Sequence, residues 1–197
     1  MKIKSILLSI MCISCLMAEA APIDFRTGKT KVSVEFYTST IVRVVKSPAG
    51  HDYRKESLVI TATPSGVDVE KKGNKVSSAE LTLSVDPKTG SITFATKAGK
   101  VLLREKECSF DERKEGPDAG AYRVTQSFIL DKDEAIYGLG TIQNGKMNRR
   151  GEHKLMEQSN LEDFQSVLQS VKGWGIFWDN YSRTQFDDDA VKGMSFS

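Results

Sequence analysis

Gly140-Thr141-Ile142-Gln143-Asn144-Gly145-Lys146 reproduces the opening of a phosphate-binding loop, in which glycines let backbone N–H groups cradle phosphates and a lysine meets the terminal ones. The next residue is Met147, where that chemistry needs a hydroxyl for magnesium, and Arg149-Arg150-Gly151 follows where a helix should begin. Nucleotide binding is not supported. The dinucleotide fingerprint fails as well, since Gln143 stands where the third glycine after Gly138 and Gly140 is required. His51 and His153 are far apart and Cys108 offers one thiol; each histidine reads as a loop or surface residue, and no nucleophile elbow accompanies them. Asp187-Asp188-Asp189 lacks the spaced oxygen ligands and loop glycine of a calcium site, so a solvated turn is expected there. The residues call for neither a metal nor a cofactor.

Aromatic residues are the more informative class, because sugars present C–H faces that pack on rings while their hydroxyls need polar partners. On a strand, Trp174, Ile176 and Trp178 share one face and Gly175 and Phe177 the other. That pattern predicts core packing, with Gly173 and Gly175 admitting aromatic cover or close backbone approach. Tyr181, near the end of the strand, is placed as a rim residue instead.

The elements that must position these groups are strands. Val32, Val34 and Phe36 alternate with Lys31, Ser33 and Glu35, the period of a strand with one buried face. Ile41 to Val45 and Leu58 to Thr63 are predicted as the next two. Val67 and Val69 lead into a turn at Lys71-Lys72-Gly73-Asn74, and Leu81, Leu83 and Val85 follow it. Asp86-Pro87-Lys88-Thr89-Gly90 is turn chemistry, so Leu81 to Thr96 is predicted as a hairpin. After a turn at Ala98-Gly99-Lys100 and a strand at Val101-Leu102-Leu103, the charged stretch from Arg104 to Asp118 is expected to be a solvated loop. Tyr122, Val124, Phe128 and Leu130 resume the alternation. Ser159 to Gln165 is the one short helix predicted, and Met194-Ser195-Phe196 opens a further strand, expected to be left as an unpaired edge if the fold ends there. Many short strands without helical periodicity predict an all-β, antiparallel sandwich.

Lys2 and Lys4 precede an apolar stretch from Ile6 to Met17, and Ala18-Glu19-Ala20 supplies small residues at a cleavage site. Residues 1–20 are therefore expected to be a signal peptide and 21–197 the mature domain, secreted or periplasmic. Lipidation at Cys15 is the weaker alternative, because Cys12 stands where a lipobox has an aliphatic residue. The apolar stretch falls short of the roughly 18 residues a membrane span needs. Of three cysteines, two leave with the signal, and Cys108 alone cannot form an internal disulfide. The net charge of +2 falls to +1 on losing two lysines and one glutamate, which gives no electrostatic case for nucleic acid or an anionic membrane.

The run Ala135-Ile136-Tyr137-Gly138-Leu139-Gly140, then Asn144-Gly145-Lys146-Met147-Asn148-Arg149-Arg150-Gly151, then Lys172-Gly173-Trp174-Gly175-Ile176-Phe177-Trp178-Asp179-Asn180-Tyr181-Ser182, resembles the N-terminal galactose mutarotase-like β-sandwich of glycoside hydrolase family 31, the α-glucosidases and α-xylosidases. The clear match covers Phe128 to Phe186, and Ile23 to Tyr122 resembles the family as a β-rich lead-in. The resemblance implies a loop from Asn144 to Asn160 that reaches over the mouth of a catalytic barrel and contributes to the sugar subsite, with Asn148, Arg149, Arg150 and Glu152 as substrate-binding candidates. It implies retaining hydrolysis by two carboxylates about 5 Å apart, both on a downstream barrel of about 250 residues. The chain stops before such a barrel could begin, so it is expected to be C-terminally truncated, and no catalytic residue is assigned within it.

Two departures from the family pattern matter. Arg150 stands where many members carry an aspartate, replacing an acceptor by a donor-only fork, and Ser166-Val167-Leu168 replaces an Ile-Pro-Phe-like segment. The expected partners are an α-linked oligosaccharide and the barrel of the same polypeptide. A stand-alone carbohydrate-binding module, or a structural sandwich without a sugar, are the alternatives.

Overall fold

The computed structural model describes residues 21–197 apart from 54, 55, 65 and 161; the signal-peptide expectation and Cys15 lie outside the described residues. In chain order the strands are β1 (Ile23–Arg26), β2 (Thr30–Phe36), β3 (Val42–Pro48), β4 (Glu70–Lys72), β5 (Lys75–Ser77), β6 (Leu81–Val85), β7 (Ile92–Thr96) and β8 (Val101–Glu112). There follow β9 (Tyr122–Ile129), β10 (Ile136–Gly138), β11 (His153–Met156), β12 (Val167–Ser170), β13 (Gly175–Phe177), β14 (Thr184–Asp189) and β15 (Gly193–Phe196). All pairings between them are antiparallel.

One nine-stranded sheet runs in the order β11-β14-β15-β9-β8-β7-β6-β5-β4, and β1-β2-β3 and β10-β12-β13 form two smaller sheets. Register explains how they stack. Val76 faces Leu83, Leu83 faces Phe94, Phe94 faces Leu103, Glu105 faces Phe128, Phe128 faces Met194, and Phe196 faces Phe186. Paired residues project to the same side, so these side chains form one face, and both small sheets cover it. Val32, Val34 and Phe36 of β2 pack on Val76, Leu81, Leu83, Val85 and Ile92. Ile136, Leu168 and Trp174 pack on Phe128, Phe186, Met194 and Phe196. Burying each such aliphatic or phenyl side chain favours the folded state by about 1.5–3 kcal/mol over leaving it in water.

A buried polar contact ties the β1–β3 sheet to the large one. Lys46 of β3 ion-pairs with Glu105 of β8 at 2.5 Å and donates to Gln126 of β9 at 3.3 Å, while the Ile92 N–H donates to Glu105 Oε2 at 2.6 Å. Desolvation raises the Glu105 carboxyl above its usual range against the pull of Lys46.

The β2 strand, the β6–β7 hairpin and β9 match the alternation, and β3 begins at Val42 and extends to Pro48. Four expectations are corrected. Arg104 to Asp118 is not a loop throughout: β8 continues to Glu112, with Arg104 to Glu112 paired along β9, because its backbone bonds to a neighbour while most of its charges face water. Leu58 to Thr63 forms no strand, and Leu58, Val59 and Ile60 are exposed; β propensity without a sheet edge to pair with leaves an irregular segment. Ser159 to Gln165 contains no helix among its described residues, since Asp163 bridges to Thr141 and the Gln165 N–H reaches the Leu139 carbonyl. Finally, β15 is no edge, because it pairs with β14 and β9 on its two sides.

Candidate functional site at the loop anchors

The loop that begins after β10 is launched by three consecutive left-handed residues, Gly138 (φ 128°), Leu139 (φ 65°) and Gly140 (φ 81°). Leu139 is fully buried, and its conformation costs about 1–2 kcal/mol for an L-residue. The flanking glycines are required by space: a Cβ on Gly138 would lie 2.2 Å from the Val167 carbonyl oxygen, and one on Gly140 2.0 Å from that of Asp163. The glycines that imitate a phosphate loop therefore serve close backbone approach. Leu139 N–H donates to Val167 O and Thr141 N–H to Asp163 O, both at 2.8 Å.

Beyond this turn the loop folds back on β10. Asn148 Oδ1 accepts from the Ile136 and Arg150 N–H groups, each at 3.2 Å, and the Arg149 N–H donates to Ile136 O at 2.8 Å. Arg149 is buried, with Nε on Gly138 O at 3.0 Å and Nη1 on Lys146 O at 2.7 Å and Asn144 Oδ1 at 3.4 Å. Its guanidinium satisfies loop carbonyls that would otherwise be orphaned. Glu152, also buried, accepts from Asn144 Nδ2 at 3.0 Å and lies 3.5 Å from Lys146 Nζ. Asn148 is exposed and Arg150 half-buried.

Arg150 fastens three elements together. Its Nε donates to Asp188 Oδ2 on β14 at 2.7 Å, and Nη1 donates to Asp131 O at 2.8 Å and Glu134 O at 2.6 Å in the turn after β9. The Gly151 N–H shares Asp188 Oδ2 at 2.8 Å. All four sequence-predicted residues thus lie in one cluster, in which Arg149 and Glu152 face inward.

The sequence gives little sign of Glu134, the acid around which the β10–β12–β13 cover is organised. It is buried, accepting from Ser170 Oγ at 2.5 Å, from Trp174 Nε1 at 2.8 Å and from the Asp131 N–H at 3.1 Å, with Lys172 Nζ at 3.4 Å. The indole of Trp174, read only as core, was the available signal, because a buried Trp N–H seeks an acceptor. Lys172 also pairs with Asp131, and that hydrogen bond lowers the Asp131 pKa and raises that of Lys172.

The three aspartates are not a solvated turn. They close β14 with alternating roles, as strand geometry demands: Asp187 meets His153 Nδ1 at 2.8 Å, Asp188 is buried on Arg150, and Asp189 accepts from the Val191 and Lys192 N–H groups at 2.8 and 2.7 Å. Those two N–H groups, Lys192 first, hold the Asp189 carboxyl below its usual range. His51 stands edge-on to Tyr122, with ring centroids 5.7 Å apart. Burial pushes the Cys108 thiol up to about 11, which suits an inert thiol. Among the described residues no cluster of three or more His, Cys, Asp or Glu could hold a metal ion, and no helix is long and apolar enough to cross a membrane.

Comparison with known proteins agrees with this architecture. The α-xylosidase of Saccharolobus solfataricus is 27% identical over 178 residues, which cover 80% of this chain and 23% of that protein. The crystal structure of the GH31 α-xylosidase of Xanthomonas citri superposes with a TM-score of 0.76 at 27% identity, over 89% of this chain and 20% of that one. A GH31 α-xylosidase from a soil metagenome, complexed with xylose, gives 0.75 at 18% identity over 92% of this chain and 30% of its own, a likeness of fold. The chain therefore spans between a fifth and a third of the length of these relatives. Residues 31–187 match the glycosyl hydrolase 31 N-terminal galactose mutarotase-like domain, and the chain belongs to that family.

Proposed function

We propose that this chain is the non-catalytic N-terminal sandwich of a secreted or periplasmic retaining α-glycosidase of the xylosidase or glucosidase type. It braces a catalytic barrel supplied by the same polypeptide and closes one side of the sugar pocket with the loop from Asn144 to Asn160. The observation that carries this reading is the loop's construction: it is anchored by buried Arg149 and Glu152 and by the Arg150–Asp188 pair, while Asn144, Lys146, Asn148 and Glu157 to Asn160 stay exposed. Rigid anchoring under a polar, outward-facing stretch is what a subsite wall requires.

Within the cluster, Asn148 and Arg150 are the groups that meet sugar hydroxyls, and Arg149 and Glu152 position them. Three of the five Arg150 donors are already committed internally, so its remaining Nη is the one offered. A donor favours hydroxyl lone pairs over hydroxyl protons, which separates this subsite from those built on a carboxylate. The buried carboxylates of Glu105, Glu134, Glu152 and Asp188 each have cationic or N–H partners, which suits structural acids better than a nucleophile and acid/base couple.

Three measurements test the proposal. The purified chain should release no sugar from aryl α-xylosides or α-glucosides, and release abolished by substitutions within residues 21–197 would overturn the non-catalytic role. Arg150→Ala, in a polypeptide carrying the domain on its barrel, should raise KM; unchanged kinetics would remove Arg150 from the site. Mass spectrometry of the mature N-terminus should find Ala21, and a diacylated Cys15 would replace secretion by a lipid anchor.

A further inference from the structure

A second surface, whose lining shares no residue with the Asn148–Arg150 cluster, has the composition of a sugar site. A shallow groove of about 130 Å³ opens between the irregular segment after β3 and the turn from β13 to β14, lined by Arg43, Tyr53, Glu56, Asp179, Asn180 and Tyr181. Tyr181 is held before any ligand arrives. Its hydroxyl accepts from the Leu58 N–H at 2.6 Å, donates to Asp179 Oδ1 at 2.8 Å and lies 3.2 Å from Ser57 Oγ. Even so, Tyr181 is 48% exposed and Tyr53 56% exposed. Asn180 is fixed too, with Nδ2 on Thr184 Oγ1 at 3.2 Å and Oδ1 receiving the Ser182 N–H at 3.1 Å, and Arg43 is braced by Glu35 at 3.4 Å.

We propose that this groove binds one pyranose unit of an oligosaccharide, on lining residues none of which belongs to the Asn144–Asn160 loop. The ligand class follows from two features. Exposed tyrosines give large, stiff contact area at low entropic cost, and a ring whose hydroxyl is already tied presents its apolar face to the C–H face of a sugar. Around them stand carboxylate and amide acceptors and a guanidinium donor, a mixture suited to hydroxyls, which both donate and accept. The groove's volume lies below the range of about 300–1,000 Å³ found for drug-sized ligands, so one ring is seated and the rest of the chain runs out over the surface. The choice of xylose or glucose as that ring rests on the function proposed above.

The test is an NMR titration of the full chain with xylose, glucose and short α-linked oligosaccharides of each. Saturable shifts should centre on residues 179–182. Tyr181→Ala and Tyr53→Ala should each weaken binding at least about tenfold, equivalent to about 1.4 kcal/mol, whereas Tyr181→Phe should stay within about threefold of the parent. Should Tyr181→Ala lose its fold on thermal melting, Tyr53→Ala decides. Absence of saturable binding by the parent chain, or undiminished binding by a folded Tyr53→Ala, overturns the proposal. Neither result touches the Arg150 kinetics, so failure of the groove and failure of the loop are told apart.

Discussion

The two three-stranded covers rest on the same face of the same sheet, yet they are fastened differently. Under β1–β3 the core is aliphatic and repetitive, with Val32, Val34, Val76, Leu83, Val85 and Ile92 almost without accessible surface and one ion pair, Lys46–Glu105, sealed behind them. Under β10, β12 and β13 it is built of Phe128, Trp174, Phe186, Met194 and Phe196, with Trp178 stacked on Phe196 at 5.3 Å between ring centroids. That second half also holds a left-handed Leu139, a buried acid at Glu134 and the Arg149, Arg150, Glu152 and Asp188 network. Alternating valines suffice to cover a sheet. Strain and buried charge add nothing to that task, so their concentration beneath one loop marks the half whose shape is being specified.

Several substitutions would break or sharpen this contrast. The largest effect is expected for Gly140→Ala, where a Cβ 2.0 Å from a carbonyl oxygen cannot be relieved by a side-chain movement; we expect a loss of about 4 kcal/mol or more. Gly99→Ala, also left-handed but facing open space, should cost about 1–2 kcal/mol. Equal urea midpoints for the two would refute the close-approach argument. Glu134→Ala strands Trp174 Nε1 and Ser170 Oγ, while Lys172 keeps Asp131, and should cost about 1–3 kcal/mol for each stranded group. By contrast, replacing Lys46 and Glu105 together by Met and Leu should cost little beyond the acceptor of the buried Ile92 N–H, about 1–3 kcal/mol, so a larger loss there would show the aliphatic half to be as specified as the other.

Smaller effects follow. Arg150→Ala should destabilise the isolated chain by about 1–3 kcal/mol, because Asp188 loses a charged partner and keeps only the Gly151 N–H. Acid should act on two aspartates and on buried Glu105 with opposite signs. Asp131 and Asp189 have lowered native pKa values, so their contribution is complete above the ordinary carboxylate pKa of about 4 and fades as the pH falls through the lower native values. Glu105 is raised by burial, so its protonation favours the folded state as the pH falls, at the expense of its attraction to Lys46. Asp131→Asn should therefore flatten the acid limb of the stability curve, and an unchanged limb would contradict the assignment. Least of all, Trp178→Phe should change stability by under about 1 kcal/mol, since the indole N–H it removes is buried with no hydrogen-bond partner among the described residues.

The legibility of the sequence follows the same division. Val32, Val34 and Phe36, and the hairpin around Asp86-Pro87, could be read because one face is buried and the turn residues are unambiguous. The extension of β8 through Cys108 to Glu112 was hidden by charges that mostly face water, and Leu58 to Thr63 has the composition of a strand but no edge to join. The loop cluster was half legible. Asn148, Arg149, Arg150 and Glu152 do lie together, but nothing in their order shows that Arg149 and Glu152 turn inward. Glu134 and Asp188 were missed because a buried acid looks like a surface one until the donors around it, distant in sequence, are brought to it by the fold.

The most direct test of the account is a domain exchange in which residues 21–197 replace the matching segment of the Xanthomonas citri α-xylosidase, with KM and kcat measured for an aryl α-xyloside. The exchange should leave a working enzyme, and Arg150→Ala within it should raise KM at least about threefold with a smaller change in kcat. Identical KM and kcat with and without Arg150 would contradict the claim that this loop closes the sugar pocket.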